Sequence, residues 1–377
     1  MTRVLFLIES LSGGGAEKVL VSILRNLDKD KFEVTLCVVS SIGPYVDEVH
    51  PTTKFIGMLP DPSRLHGFRS LCYKIKYKLI HEWLSPKWVY RSFFPKGFDV
   101  EVAFTEGFAT KLMASSTNRA SKKIAWVHTD LASNPWPVNR GVFKDSREEG
   151  DAFRAFDMIV GVSDAVCDSL RSIYGIDAAT VCNPVDSEEI IRLSEEHVPL
   201  PPKETFRMIS IGRLVPQKAF DRLLNVASRL KGEGIAFQLW ILGEGPCRGQ
   251  LERLIREKGL MDLVTLWGFK NNPFPYLSVS DLFVCSSVAE GMSTAVTEAM
   301  VLGLPIVTTD CAGMRELFGG KACGIIAEND EDSLYEAIME CYSDPCKLQG
   351  YASEAVARAK EFSLEKSMAV IEEVLSK

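Results

Sequence analysis

Residues 282–302 read Leu-Phe-Val-Cys-Ser-Ser-Val-Ala-Glu-Gly-Met-Ser-Thr-Ala-Val-Thr-Glu-Ala-Met-Val-Leu. The apolar run Leu282–Cys285 has the length of a buried strand, and a loop carrying Glu290 and Gly291 follows it. A helix is expected to open near Ser293, with Glu298 inside its first two turns. Glu290 and Glu298 therefore straddle a helix N-terminus at the carboxyl end of a strand. An open α/β sheet holds its ligand at that edge, and the free N–H groups of a helix start favour an anion. Acids beside an anion site fit a ligand carrying both hydroxyls and phosphate, as a sugar nucleotide does.

Working outward from this stretch, the same alternation recurs. Strands are expected at Arg207–Ile211, Gln238–Leu242, Val264–Leu266, Ile306–Thr308 and Gly324–Ile326, with helices between them. A separate series precedes it, at Val4–Ile8, Glu33–Val39, Val100–Phe104, Lys123–Val127, Met158–Val162 and Ala179–Cys182. The length of 377 residues already favours two cores. Two βα series predict an α/β chain of two Rossmann-like doubly wound domains facing each other across a cleft. The expected division is an N-terminal domain over 1–186 and a second domain over 203–360. A C-terminal helix over 361–377 is expected to cross back to the first. The charged, Pro-rich stretch 187–205 reads as the connection between domains.

A formal net charge of −7 gives no reason to expect nucleic acid as a partner. The ten cysteines form no CxxC pair and no disulfide-like framework. Cys37, Cys182 and Cys285 read as small hydrophobes at strand positions, and a reducing cytoplasmic setting is expected. The apolar run at Val4–Ile8 is too short for a signal peptide, and no stretch reaches transmembrane length. Residues 64–96 differ from the rest: Arg64, Arg69, Lys74, Lys76, Lys78, Lys87, Arg91 and Lys96 interleave with eight aromatic residues, and Glu82 is the only acid. Either the segment is an interface helix drawn to the cytoplasmic face of the membrane, or it packs on the first sheet with its lysines in water.

Several groups at strand ends carry chemistry. Gly13-Gly14-Gly15 lets backbone approach a phosphate or a sugar, but is neither a dinucleotide fingerprint nor a P-loop. Arg213 and Lys218, beside a helix start, are spaced to neutralise a departing diphosphate, with salt bridging as the plain alternative. His128 ends a strand, placed to bond a sugar hydroxyl or to serve structure alone. Asp28-Lys-Asp30 has the letters of a metal motif at the wrong sheet edge, and Asp330-Glu-Asp332 reads as a helix start. No metal site is expected.

Taken together, Ser12-Gly-Gly-Gly-Ala-Glu-Lys18, Ile211-Gly-Arg-Leu214 with Lys218, Leu242-Gly-Glu-Gly-Pro246 and Glu290-Gly-Met-Ser-Thr-Ala-Val-Thr-Glu298 resemble the retaining glycosyltransferases of family 4, of GT-B fold. The glycine-loop variant is most similar to bacterial members that build lipid-linked or capsular polysaccharides. The resemblance implies transfer of a hexose or N-acetylhexosamine from a nucleotide diphosphate sugar, a UDP-sugar first among them, without metal or other cofactor. The implied acceptor is a glycan or polyprenyl-linked glycan met at the cytoplasmic membrane surface; the alternatives are a sugar phosphorylase and a non-catalytic scaffold. It implies that Arg213 and Lys218 hold the diphosphate and that Glu298 binds the ribose. Glu290, His128 and the backbone of Gly291, Met292, Ser293 and Thr294 would lie near the donor sugar. Gly14, Gly15 and Gly243 would meet the donor, and Gly268 and Phe269 its base. Glu106 and Asp130 are acceptor-side candidates. Met292-Ser293 stands where many members have Phe-Gly, a departure at the donor-sugar contacts.

Overall fold

The computed structural model describes residues 1–49 and 53–376. Strands β1 (Thr2–Ile8), β2 (Phe32–Ser40), β3 (Lys54–Leu59), β4 (Val100–Ala103), β5 (Lys122–Val127), β6 (Met158–Gly161) and β7 (Ala179–Thr180) form one sheet, ordered β3-β2-β1-β4-β5-β6-β7. Strands β8 (Phe206–Ile211), β9 (Phe237–Leu242), β10 (Val264–Gly268), β11 (Leu282–Cys285), β12 (Ile306–Thr309) and β13 (Gly324–Ala327) form the other, ordered β10-β9-β8-β11-β12-β13. Every paired strand is parallel to its neighbour. One compact unit comprises Met1–Pro184 together with the chain from Glu365 onward, and the second comprises Val185–Leu364.

Parallel strands covered on both faces must be apolar at successive positions, because side chains alternate between faces. The second sheet shows this residue by residue. Met208, Leu239, Ile241, Leu282 and Val284 enter one core beneath the helices Phe220–Gly232, Arg248–Glu257 and Glu331–Ser343. Their neighbours Ile209, Trp240, Leu242, Phe283 and Cys285 enter the opposite core with the helix Thr294–Val301. In the first unit the final helix, Leu364–Leu375, is tied down by Lys122, whose Nζ donates to the Val374 carbonyl at 2.9 Å. Glu372 of the same helix accepts from the Asp28 backbone at 3.1 Å and from Lys31 at 2.9 Å.

Three sequence expectations need correction. Strand β3 was not expected, because Lys54 and Gly57 interrupt its apolar run; as the edge strand it buries only Met58 and Leu59, so its pattern is weak. The stretch 187–205 is not a bare connection. It contains the helix Ser187–Ser194, capped by Asp186, whose Ile190 is buried in the second unit. The Pro201 and Pro202 carbonyls accept from the buried Arg207 guanidinium. Finally, Cys182 lies just past the two-residue β7 and is exposed, so it is not a core residue. All ten cysteines are free thiols.

Glu149 is fully buried and accepts a hydrogen bond from Tyr174 Oη at 2.7 Å, while its Oε1 has no partner. Burial pushes its carboxyl up to about 7, against the Tyr174 bond and with help from Glu106. Between the ordinary value of 4.5 and about 7 the folded state keeps a proton that the unfolded chain releases. Its contribution is therefore complete at low pH and is lost as pH rises through about 7, by up to roughly 3 kcal/mol. Glu149→Gln preserves the acceptor for Tyr174 and cannot ionise. Thermal unfolding at about pH 5 and about pH 8 should show the variant gaining on the parent only at the higher value.

Candidate functional site

The second sheet reverses direction between β8 and β11, where Met208 lies beside Leu282 and Ile209 beside Phe283. Such a reversal leaves a crevice at the carboxyl ends of the two strands. One strand delivers Gly212, Arg213 and Lys218, and the other delivers Ser286 to Glu290. Lys218 closes a single 3₁₀ turn, Pro216–Lys218, and is followed by Ala219 at φ 46, the only non-glycine residue with positive φ among the described residues. A left-handed alanine costs on the order of 1–3 kcal/mol. It is held by burial, and Ser286 Oγ donates to the Lys218 carbonyl at 2.9 Å.

That strained corner aims the lysine. Lys218 Nζ lies 2.5 Å from Glu290 Oε1, and Ser287 Oγ donates to the same oxygen at 2.5 Å. The two charged side chains are 21% and 8% exposed, so the pair is little screened. Burial opposes the lysine's charge, but Glu290 outweighs it and holds the ammonium above its ordinary range even with Arg213 nearby. Lys218 is a fixed cation at neutral pH. Arg213 is exposed and is engaged by no carboxylate among the described residues.

Close backbone approach builds the rest of the site. Gly243 follows β9 and its N–H donates to the Gly268 carbonyl at 2.9 Å; a Cβ on Gly243 would lie 1.9 Å from the Gly212 carbonyl oxygen. Phe269 follows, half-buried, and Trp267 stands 5.2 Å from both Trp240 and Tyr276, ring to ring. Ser293 caps the helix Thr294–Val301 by accepting from the Val296 N–H at 3.4 Å, with Gly291 and Glu298 buried and Met292 and Thr294 half-buried. The structure thus gathers Arg213, Lys218, Glu290 and the 291–294 backbone at one sheet edge.

Residues not singled out in the sequence complete that edge. Gln217 Nε2 donates to the Ala289 carbonyl at 2.8 Å, and Val288 N–H donates back to Gln217 at 2.9 Å, clamping the two loops together. Gly313, at φ 76, lies where a Cβ would sit 2.0 Å from the Gly291 carbonyl oxygen. A glycine four residues past the end of β12 was the available signal.

The first sheet reverses between β1 and β4. Gly13 to Gly15 follow β1 and open the helix Gly15–Asn26, and the Glu17 carboxylate lies over Gly14, where an added Cβ would be 2.3 Å from Oε2. Glu106 follows β4 and accepts from the His128 N–H at 2.9 Å and from Trp136 Nε1 at 3.1 Å. Asp130 accepts from the Ala132 N–H at 2.9 Å and from Ser133 Oγ at 2.5 Å, stabilising its own turn. Both acids hold local structure. Glu9, another acid at this edge, accepts from the Phe108 N–H at 2.9 Å, and burial raises its carboxyl. His128 rests against Phe104 with ring centroids 4.9 Å apart, and its Nε2 is buried without a partner. Burial pushes the imidazole down to about 4, against Glu106 and the Phe104 backbone.

Among the described residues no group of three or more His, Cys, Asp or Glu side chains is disposed to hold a metal. Asp28 accepts from the Asp30 N–H at 2.9 Å, and Asp330 caps the helix Glu331–Ser343. No helix among the described residues is long and apolar enough to cross a membrane.

Both units are doubly wound, and the second gathers cations and carboxylates at its switch point, where such sheets hold ligand. Comparison with known families agrees. Residues 13–189 match Glycosyltransferase Family 4 and residues 205–344 match Glycosyl transferases group 1. The chain belongs to the family 4 glycosyltransferases of GT-B fold. It is 27% identical, over 96% of both chains, to the N-acetylgalactosamine-N,N'-diacetylbacillosaminyl-diphospho-undecaprenol 4-alpha-N-acetylgalactosaminyltransferase of Campylobacter jejuni. It is 30% identical to the putative colanic acid biosynthesis glycosyltransferase WcaL of Salmonella typhimurium, over 50% of this chain and 48% of that one. HepE of Anabaena, solved with UDP and glucose, superposes with a TM-score of 0.77 over 100% of both chains at 19% identity.

Two outcomes follow from the geometry. Gly313→Ala forces a left-handed alanine against the Gly291 carbonyl, for roughly 1–3 kcal/mol of backbone strain before any clash. Differential scanning calorimetry should show the transition of the second unit several degrees lower. His128, neutral down to about 4, contributes stability above its ordinary value of 6.5 that is lost as pH falls through about 4. Titrating its ring by NMR should show no protonation between about pH 5 and about pH 8.

Proposed function

We propose that this chain is a retaining transferase that moves a hexose or N-acetylhexosamine from a UDP-sugar to a lipid-linked glycan, without a metal. The observation that carries the reading is the Lys218–Glu290 pair at 2.5 Å beside the unpaired Arg213, at the switch point of the second sheet. A departing nucleoside diphosphate needs positive charge held in place before it leaves, and fixed charges in a poorly solvated site do this without reorganisation. Arg213 meets the anion directly. Lys218 is shared: an incoming diphosphate competes with Glu290 for Nζ, and Glu290 Oε1, released from the lysine, is free to accept from a sugar hydroxyl.

The helix start at Ser293 to Thr294 supplies N–H donors, and Glu298 supplies a carboxylate for the ribose. Gly268 and Phe269 border the base, near the Trp267 cluster. On the first unit, neutral His128 offers an unpartnered Nε2 for a hydroxyl of the reacting sugar. The lipid-linked acceptor is supported by the Campylobacter relative, whose name describes an undecaprenol-linked acceptor and which matches along nearly the whole chain. UDP as the nucleotide is supported by the UDP-bound structural relative. The reaction is placed at the cytoplasmic face of the membrane.

Lys218→Ala should lower kcat by about 10²–10³, the usual cost of removing one preorganised charge-stabilising donor, while Lys218→Arg retains part of the rate. Initial rates with a UDP-sugar and a short polyprenyl-diphosphate glycan measure this, with UDP, GDP, ADP and TDP compared by thermal shift. Near-parental turnover in Lys218→Ala would defeat the assignment, as would a rate that vanishes with EDTA for the claim of metal independence.

A further inference from the structure

The helix Phe68–Lys78 buries none of its residues. Its apolar positions Phe68, Leu71, Cys72 and Ile75 recur at the spacing of one helix face, and that face points outward: Phe68 is 79% exposed, and Leu71 and Ile75 are also exposed. The opposite side meets the protein, where Tyr73 packs on the core of the first unit and Tyr77 stacks on His81 with centroids 4.0 Å apart. This inverts the usual surface helix. Lys74 and Lys78 border the apolar stripe on one side and Arg69 and Lys76 on the other, following the helical repeat of about 100° per residue. All four are exposed.

A single π-helical turn, Leu79–Trp83, follows, turning Ile80 into the core and leaving Trp83 64% exposed. On the next helix, Pro86–Phe93, Val89 and Tyr90 are buried while Trp88 is exposed between Lys87 and Arg91. The segment 64–96 carries eight basic residues against one acid in a chain of net charge −7. Arg69, Lys74, Lys76, Lys78, Lys87 and Arg91 pair with no carboxylate among the described residues.

We propose that this face docks the enzyme on an anionic lipid bilayer, with Phe68, Leu71, Ile75, Trp83 and Trp88 entering the interface and the flanking lysines and arginines meeting headgroup phosphates. Eleven helical residues are marginal in water on their own, and exposed apolar surface costs about 25 cal/mol per Å². A lipid interface relieves both. It also matches unpaired cations beside apolar residues with tryptophans at the rim, since indole favours that boundary. Stems of the lysines lie along the acyl boundary while their charges reach the headgroups. The stack runs inward from Tyr77 through His81 to Phe108, 4.2 Å further, and the Phe108 N–H is bonded to Glu9 at the carboxyl edge of the first sheet. The docked face is thus joined to the carboxyl edge of the first sheet; the docking does not depend on the function proposed above.

The test is flotation of the full chain with vesicles of phosphatidylcholine alone or of phosphatidylcholine and phosphatidylglycerol in equal parts. Binding is expected only to the anionic vesicles. Replacing Phe68, Leu71 and Ile75 by Ser should abolish it, and replacing Lys74, Lys76 and Lys78 by Gln should weaken partitioning on the order of a hundredfold. Brominated lipid should quench tryptophan emission in the parent and much less in a Trp83→Phe, Trp88→Phe variant. Retention of the parental UDP-induced rise in Tm by every variant would show that only the docking face was altered. No flotation of the parent, or equal flotation of the Ser variant, overturns the proposal; so does concentration-dependent dimerisation that the Ser variant abolishes, which would assign the face to a second copy. A parent that floats but shows no UDP-induced rise leaves the docking standing and counts against the donor reading alone.

Discussion

The hydrogen-bonded contact between Lys218 and Glu290 depends on almost everything around it. It joins the loops after β8 and β11, strands that are neighbours only because the sheet reverses there. Isolated in a poorly solvated site, either charge would be expensive, and together they are stable only with exact partners. Ser287 supplies one, the strained Ala219 fixes the lysine's exit direction, and Gln217 locks one loop to the other. Backbone contacts that exclude any Cβ, at Gly243 and Gly313, then hold the outer loops against this pair. Preorganisation of charge is thus stored in covalent geometry and buried hydrogen bonds rather than assembled on demand.

Much of this was legible in the sequence because it obeys local rules. Both series of buried strands announce themselves as short apolar runs, and Ser293, Asp330 and Gly13 to Gly15 mark helix starts by residue type alone. What escaped was set by tertiary context. Strand β3 needs β2 beside it, since an edge strand with Lys54 and Gly57 has little pattern of its own. The stretch 187–205 looked like a linker because its polar residues face water, whereas Ile190 and the Pro201 and Pro202 carbonyls are what attach it. Glu106 and Asp130 have the right residue type at the right edge. Whether a carboxylate faces a ligand or bonds its own scaffold is decided by neighbours such as Trp136 and Ser133, distant or adjacent, whose roles no spacing reveals.

The two units share one architecture and differ in the charged groups they set at the same edge. The second places Arg213 and Lys218 at its switch point. The first places Glu9, Glu17 and Glu106 near its own, with an imidazole that burial keeps neutral. Burial foremost, then the neighbouring Glu106 and Glu17, push the Glu9 carboxyl up against the Phe108 N–H and Arg140. On the reading proposed above, the donor's diphosphate is taken by the unit that carries Arg213 and Lys218.

The same logic explains why the insert belongs on the acid-edged unit. An anionic lipid surface attracts the basic helices of residues 64–96 but repels the rest of a net acidic chain. On the docking proposed above, that opposition orients the chain as well as binding it. The π-helical turn carries the chain from Tyr77, which is partly exposed and stacks on His81, to Trp83, which faces outward. At about 100° per residue His81 and Trp83 point to nearly opposite sides, so the segment stacks on Phe108 through His81 and turns its indole outward.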